Sequence, residues 1–271
     1  MTEPTTESPT NARADAPTDV AAELAAGFHR QVSERIDALA ASAAAGALDP
    51  AIALLAASLQ NGGVLQAFGT GHSQAFAMEI AGRAGGLIPT HSLALRDLVL
   101  RGKRPLEALQ GGTIERDDSV VDDLWSLYDF RPADVFLIAS NSGVNGSIVG
   151  LALKAKEEGH AVIAVTSLQH TNAVTPKHPS GKRLSEVADV VIDNLAPYGD
   201  TTLELPGGLG VGAVSSITAA YIAQLLTIGA AARVQAAGEV PPLFISANIP
   251  EGDEHNHALQ ERYGDRIGHL A

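Results

Sequence analysis

The sequence predicts an α/β fold: a doubly wound, parallel five-stranded sheet with helices on both faces. Three observations predict it. Apolar runs suited to strands alternate with helical patterns along most of the chain. The later runs, residues 161–166 and 188–192, are rich in Val, Ile and Ala with little alternation, as in strands covered on both faces. Two strands end in Gly/Ser turns that lead straight into helices: residues 64–68 run into Gly69-Thr70-Gly71-His72-Ser73, and residues 136–139 into Ser140-Asn141-Ser142-Gly143-Val144-Asn145. A sheet of this kind has right-handed crossovers and takes its ligands beyond the carboxyl ends of its strands.

Each element has its own reason. Residues 1–18 are rich in Thr, Pro, Ala and Glu, with neither a basic nor an apolar stretch, so they read as a disordered leader and not as a secretory signal. Residues 20–45 repeat apolar or small side chains at helical spacing (Ala25, Phe28, Val32, Ile36, Leu39). A second helix covers residues 50–59, where Pro50 suits the first turn. Strands are expected at residues 63–68, 86–89, 134–139, 161–166 and 188–192. Helices follow the two turns, at residues 75–83 and 148–158. Gly207-Gly208-Leu209-Gly210 reads as a flexible lead into a long apolar helix. The uncharged run 205–232 exceeds the ~20 residues needed to cross a bilayer. Its Ser215, Ser216, Thr218, Gln224, Thr227 and five glycines make it a core or subunit-interface helix instead. Residues 19–236 then form one domain, and residues 237–271 a tail that packs near the active site.

Composition narrows the function. Of 271 residues, 45% are hydrophobic but only 4% aromatic, so the core is built from Ala, Val, Leu and Ile. A net charge of −13 argues against nucleic acid or an anionic membrane as the main partner. Any anion site must therefore rely on local N–H and hydroxyl groups. The absence of cysteine excludes disulfides, zinc-thiolate sites and thiol nucleophiles. Without a signal sequence, the expected compartment is the cytoplasm.

The two turns carry the chemistry. Backbone N–H groups left free at a helix start, with the helix dipole and nearby hydroxyls, form a site for an anion. Two copies in one parallel sheet suggest one phosphate held between them. The contacts expected are Gly69, Thr70, Gly71, His72 and Ser73 from the first turn, and Ser140, Asn141, Ser142 and Asn145 from the second. The alternative for the serines is local: Ser140 and Ser142 satisfying their own turn, Ser73 capping its helix.

These paired turns resemble the sugar isomerase (SIS) domain of phosphosugar-binding proteins. Gly69-Thr-Gly-His-Ser73 with Glu79-Ile-Ala-Gly-Arg83 is similar to a segment of phosphoheptose isomerases, and Ser140-Asn-Ser-Gly143 to the Ser-x-Ser-Gly turn of the isomerase domain of glucosamine-6-phosphate synthase. The resemblance spans residues 21–234. It is greatest to stand-alone SIS proteins that carry no assigned reaction, which share segments like Pro179-Ser-Gly-Lys-Arg-Leu184, Val191-Ile-Asp-Asn194 and Ser246-Ala-Asn-Ile-Pro-Glu-Gly-Asp-Glu-His-Asn256. It implies a sugar-phosphate ligand, and it sets Ser215, at the start of the last domain helix, near the sugar. Two departures matter. The helix after Ser73 lacks the intervening histidine of the phosphoheptose isomerase metal site, and the helix after Ser215 lacks their Gln and His; both disfavour a zinc-dependent heptose isomerase. Asn145 stands where many such turns carry Ser or Thr.

The leading expectation is a cofactor-free and metal-free isomerase that interconverts aldose and ketose phosphates through an enediol. The reaction needs a base to move a proton between adjacent carbons and an acid to open the ring. Glu79 lies six residues into its helix, ~9 Å from the helix start at ~1.5 Å per residue, which suits the base; the alternative is an i,i+4 ion pair with Arg83. His255 is expected to open the ring; with His257 it forms a His-x-His pair that could instead ligate a metal. A sensor that binds sugar phosphate without turnover, and an amino-sugar-phosphate lyase or etherase, are the other readings. A symmetric homodimer is expected to cover the apolar run 207–232 and the N-terminal helices.

Overall fold

Small apolar residues at helical spacing build the N-terminal helices. In the computed structural model, which describes residues 17–246, 248–249 and 252–267, α1 (Pro17–Ala44) turns at Gly46, φ +85°, into α2 (Asp49–Gln60). Of the expected leader, residues 1–16 lie outside the described residues, and residues 17 and 18 already belong to α1. The chain continues through β1 (Leu65–Gly69), α3 (Gln74–Ile80), β2 (Thr90–Leu93), the short helices α4 (Asp97–Leu100) and α5 (Val121–Trp125), and β3 (Val135–Ala139). Next come α6 (Gly146–Glu157), β4 (Ala161–Thr166), α7 (Leu168–Ala173) and β5 (Val190–Asp193). The hairpin β6 (Thr201–Leu205) and β7 (Leu209–Ala213) precedes the long α8 (Ser215–Ala236), and α9 (Gly252–Tyr263) lies in the tail.

The main sheet is wholly parallel, in the order β2-β1-β3-β4-β5. The chain leaves β1 toward β2 on one side and leaves β3 toward β4 on the other. Their following helices therefore fall on opposite faces, and a crevice opens above the carboxyl ends of β1 and β3. Side-chain alternation along β3 shows both faces. Leu137 joins Leu55, Phe76, Ile222 and Leu226 in the layer under α2, α3 and α8. Phe136 and Ile138 join Leu124, Ile148 and Leu151 in the layer under α5 and α6. Burial on both sides explains why these strands show so little alternation in sequence.

The long apolar segment is a core helix. It buries Ala219, Ile222, Ala223, Leu226 and Ala230, and it is long and apolar enough to cross a membrane by length and composition alone. Gly229 lets α8 approach α2: a Cβ there would stand 2.4 Å from Ile52 Cδ1.

Three expectations are corrected. The strand expected at residues 86–89 lies four residues later, in Thr90–Leu93. Pro89 has no N–H to give a ladder, and the segment before it pairs with the tail instead: Ile88 N donates to Pro242 O (2.8 Å) and Phe244 N to Gly86 O (2.8 Å). The flexible lead at residues 207–210 is the turn of the β6–β7 hairpin and the start of β7, with Gly207 and Gly208 at φ +96° and +83°. Gly212 of this hairpin leaves room for Phe28 of α1, whose ring would stand 2.9 Å from a Cβ there. The helix expected at residues 75–83 ends at Ile80, because Ala81 is extended and Gly82 takes φ +72°.

Candidate functional site

The first turn is shaped by two glycines. At Gly69 a Cβ would stand 2.3 Å from Ser73 O, so only glycine lets the chain fold back on itself here, and Gly71 takes φ +54°. Gly71–Ser73 then make one 3₁₀ turn into α3, and Ser73 makes no capping hydrogen bond with its side chain.

The second turn is held from below. Gly143 takes φ +62°, and its N–H donates to Ser140 Oγ (3.1 Å). Asn141 is fixed by two neighbours: Asn194 Nδ2 donates to its Oδ1 (3.1 Å), and Ser167 N to its carbonyl (3.2 Å). Asn145 sits at the N-cap of α6 in extended conformation, with no side-chain capping bond.

Both turns meet at one small depression, of about 10 Å³, above the β1–β3 crevice. The first turn contributes His72 and Ser73, the second Ser140 and Asn141, the end of β5 Asn194, and the start of α8 Ser215 and Ser216. Phe76, Ala139, Val165 and Ala219 form its apolar lining, and among the described residues no Lys or Arg lines it. An anion here would be held by neutral donors, as the net charge of −13 requires. Ser215 is already engaged: its Oγ donates to Asp200 Oδ2 (2.7 Å) and its N–H to Oδ1 (2.8 Å). Asp200 itself takes φ +67°, a conformation set by its bonds to the start of α8.

Of the expected residues, His72, Ser73, Ser140, Asn141 and Ser215 converge on the depression. Gly69, Thr70 and Gly71 shape the first turn behind it, and Ser142 and Asn145 belong to the second turn but do not line it. Glu79 stands elsewhere, in a shallow surface groove with Ala75, Met78 and Arg83. Its Oε1 accepts from the Arg83 guanidinium and from Gln224 Nε2 (2.6 Å) on α8. The ion pair with Arg83 foreseen as an alternative is thus present.

His255 makes its contact within the tail, its Nε2 standing 2.9 Å from Leu243 O. His257, two residues on, is exposed and faces a separate groove beside Arg83 and Phe244. Helix geometry turns such a pair to different sides. The described tail packs along residues 85–88 and on the amino ends of β1 and β3, and none of it lines the depression between the turns.

Sequence reasoning missed Asn194 and Ser216. Asn194 had a signal: with Asp193 it forms the polar pair that follows the apolar run Val190–Ile192, at a strand's carboxyl end.

Comparison with known proteins adds the family. The SIS domain model matches residues 27–167. A UPF0309 protein of Listeria monocytogenes is 37% identical over 242 residues, covering 89% of this chain and 96% of its own. One from Geobacillus kaustophilus is 35% identical over 221 residues, covering 81% and 86%. Among solved structures, a phosphoheptose isomerase from Francisella tularensis superposes with a TM-score of 0.49 at 14% identity, covering 77% of this chain and 98% of that one. The sugar isomerase domain of an RpiR transcription factor from Sphaerobacter thermophilus gives 0.42 at 16%, covering 85% and 94%. The match to the SIS model over half the chain and the near full-length relatives agree, and the chain belongs to the SIS domain family, among its UPF0309 proteins.

Proposed function

We propose that this protein binds a sugar phosphate, with the phosphate above the β1–β3 crevice, and interconverts its aldose and ketose forms through an enediol. The observation that carries this is the convergence of Ser73, Ser140, Asn141, Asn194 and Ser216 on one depression that no cation lines. Neutral N–H and O–H donors at helix starts suit a dianionic phosphate group. The isomerisation moves hydrogen within one molecule, so it is redox-neutral and needs no electron acceptor. A symmetric homodimer would cover Met78 and Ile228, which are 64% and 62% exposed in the single chain.

One observation favours a second reading, a sensor without turnover. Glu79, the base suggested by the helix after the first turn, is occupied by Arg83 and Gln224 and lies outside the depression. A thermal-shift screen of sugar phosphates and their unphosphorylated counterparts tests the binding. A ligand at 100 times its Kd should stabilise the fold by ~2.7 kcal/mol, and the phosphate-free sugar should give no shift. Equal shifts with and without the phosphate would refute the site. Exchange of a substrate C–H proton with deuterated solvent separates enzyme from sensor.

A further inference from the structure

The depression encloses only about 10 Å³, far below the ~300–1,000 Å³ of ordinary small-molecule sites. A phosphate would sit at its mouth, and the sugar would extend along the crest of the sheet. On the α3–α8 flank, Phe76 and Ala219 wall the depression. The loop between β2 and α5 does not line the depression itself, but it is docked beside the first turn and on the start of α6.

Three contacts define the docking. Ser147, in the first turn of α6, donates its Oγ (2.7 Å) and its N–H (3.2 Å) to the carbonyl of Glu115. At Gly146 a Cβ would stand 2.3 Å from Arg116 O, so glycine is needed for this loop to lie on the start of α6. The Glu115 carboxylate reaches the first turn: its Oε1 and Oε2 lie 3.3 and 3.5 Å from where a Cβ on Gly71 would be. It is half-buried, and no hydrogen bond or ion pair among the described residues engages it. Glu79, by contrast, has two partners. A carboxylate held in place by its backbone beside the first turn, with its oxygens free, is equipped to act on a sugar bound above that turn.

We propose that Glu115 is the catalytic carboxylate of the isomerisation, touching the sugar at the two carbons between which the proton moves. The assignment rests on the isomerase reading above. The carboxylate takes the proton from the carbon next to the carbonyl. The electron pair left behind forms the C=C bond of the enediol while the carbonyl oxygen takes a proton from water. Glu115 then returns its proton to the former carbonyl carbon, and the hydroxyl on the neighbouring carbon releases its own proton to water as it becomes the new carbonyl. Protons and electrons balance without a further reactant.

The test uses Glu115→Gln and Glu79→Gln in the full chain. Fructose 6-phosphate, ribulose 5-phosphate and sedoheptulose 7-phosphate in deuterated water report exchange, and inorganic phosphate reports binding. Glu115→Gln should lower C–H exchange at least 100-fold, keep the inorganic-phosphate Kd within threefold and leave Tm within about 2 °C, since the side chain has no partner to lose. Glu79→Gln should keep exchange within tenfold. Undiminished exchange in Glu115→Gln, or loss of phosphate binding along with exchange, overturns the assignment while the isomerase reading stands. Binding of these sugar phosphates by the wild type without exchange overturns both and leaves the sensor.

Discussion

The two ends of the parallel sheet treat polar groups in opposite ways. At the amino ends, Asp134 is fully buried and its carboxylate is saturated. It accepts from Val64 N (2.9 Å), Gln66 Nε2 (3.0 Å), Arg131 N (3.1 Å) and the Arg266 guanidinium of the tail. At the carboxyl ends, among the described residues, no such charge pair lines the open depression, which is lined by hydroxyls, amides and the His72 imidazole. A buried charge is tolerated only when every lone pair is matched, so the amino end is a structural clamp. Neutral donors facing solvent cost little while empty and gain strength on meeting an anion. The same fold therefore keeps its fixed electrostatics at one end and its adaptable ones at the other.

The contrast is broken most directly at Asp134. Asp134→Ala strands Arg266 in the interior and should cost ~3–5 kcal/mol, read as a fall in the denaturant midpoint. A loss below ~1 kcal/mol would mean that the clamp contributes little. At the other end, Ser73→Ala with Ser140→Ala should abolish the thermal shift given by a bound sugar phosphate, at ~1.5–3 kcal/mol for each bond to a charged group. The empty protein should lose only ~1 kcal/mol, chiefly the bond from Gly143 N to Ser140. Equal losses with and without ligand would show that these serines serve the turn alone.

The smallest effect sharpens the comparison within the amino end. Asp189 also stands before a strand, but it is half-exposed and pairs with Lys156 (2.6 Å) and Val162 N (2.8 Å). Burial pushes its carboxyl up, yet the Lys156 ammonium and the Val162 N–H outweigh this and hold it below the usual value of 3.8. A carboxyl lowered by folding adds stability above its unfolded pKa and loses it as pH falls through its folded value. Asp189→Asn should therefore cost at most ~1 kcal/mol near pH 7 and nothing at pH 2. A cost that persists at pH 2 would assign the effect to packing.

Several parts of this molecule were legible residue by residue. Residues 161–166 read as a strand and are β4, and the long uncharged segment read as a core helix and is α8. Both turns were visible because Gly69, Gly71 and Gly143 stand where the chain must reverse or take positive φ. Strand β2 was not, because residues 86–89 are more apolar than Thr90–Leu93 and yield to them only through a tail more than 150 residues away in sequence. The hairpin was missed because glycines promise flexibility, whereas Gly210 and Gly212 here admit Thr201 and Phe28.

By itself, then, the sequence determined the doubly wound sheet, its polar turns and the hydroxyl and amide groups they carry. Those properties follow from side-chain period and backbone freedom, which neighbours along the chain decide. Only the tertiary structure decided which polar groups stand together. Asn194 reaches Asn141 from another strand, Glu79 is taken up by α8, and Glu115 is carried to Gly71 by a loop docked on α6. The energies that choose among such partners are a few kcal/mol of packing and hydrogen bonding between segments far apart in the chain, and no local pattern records them.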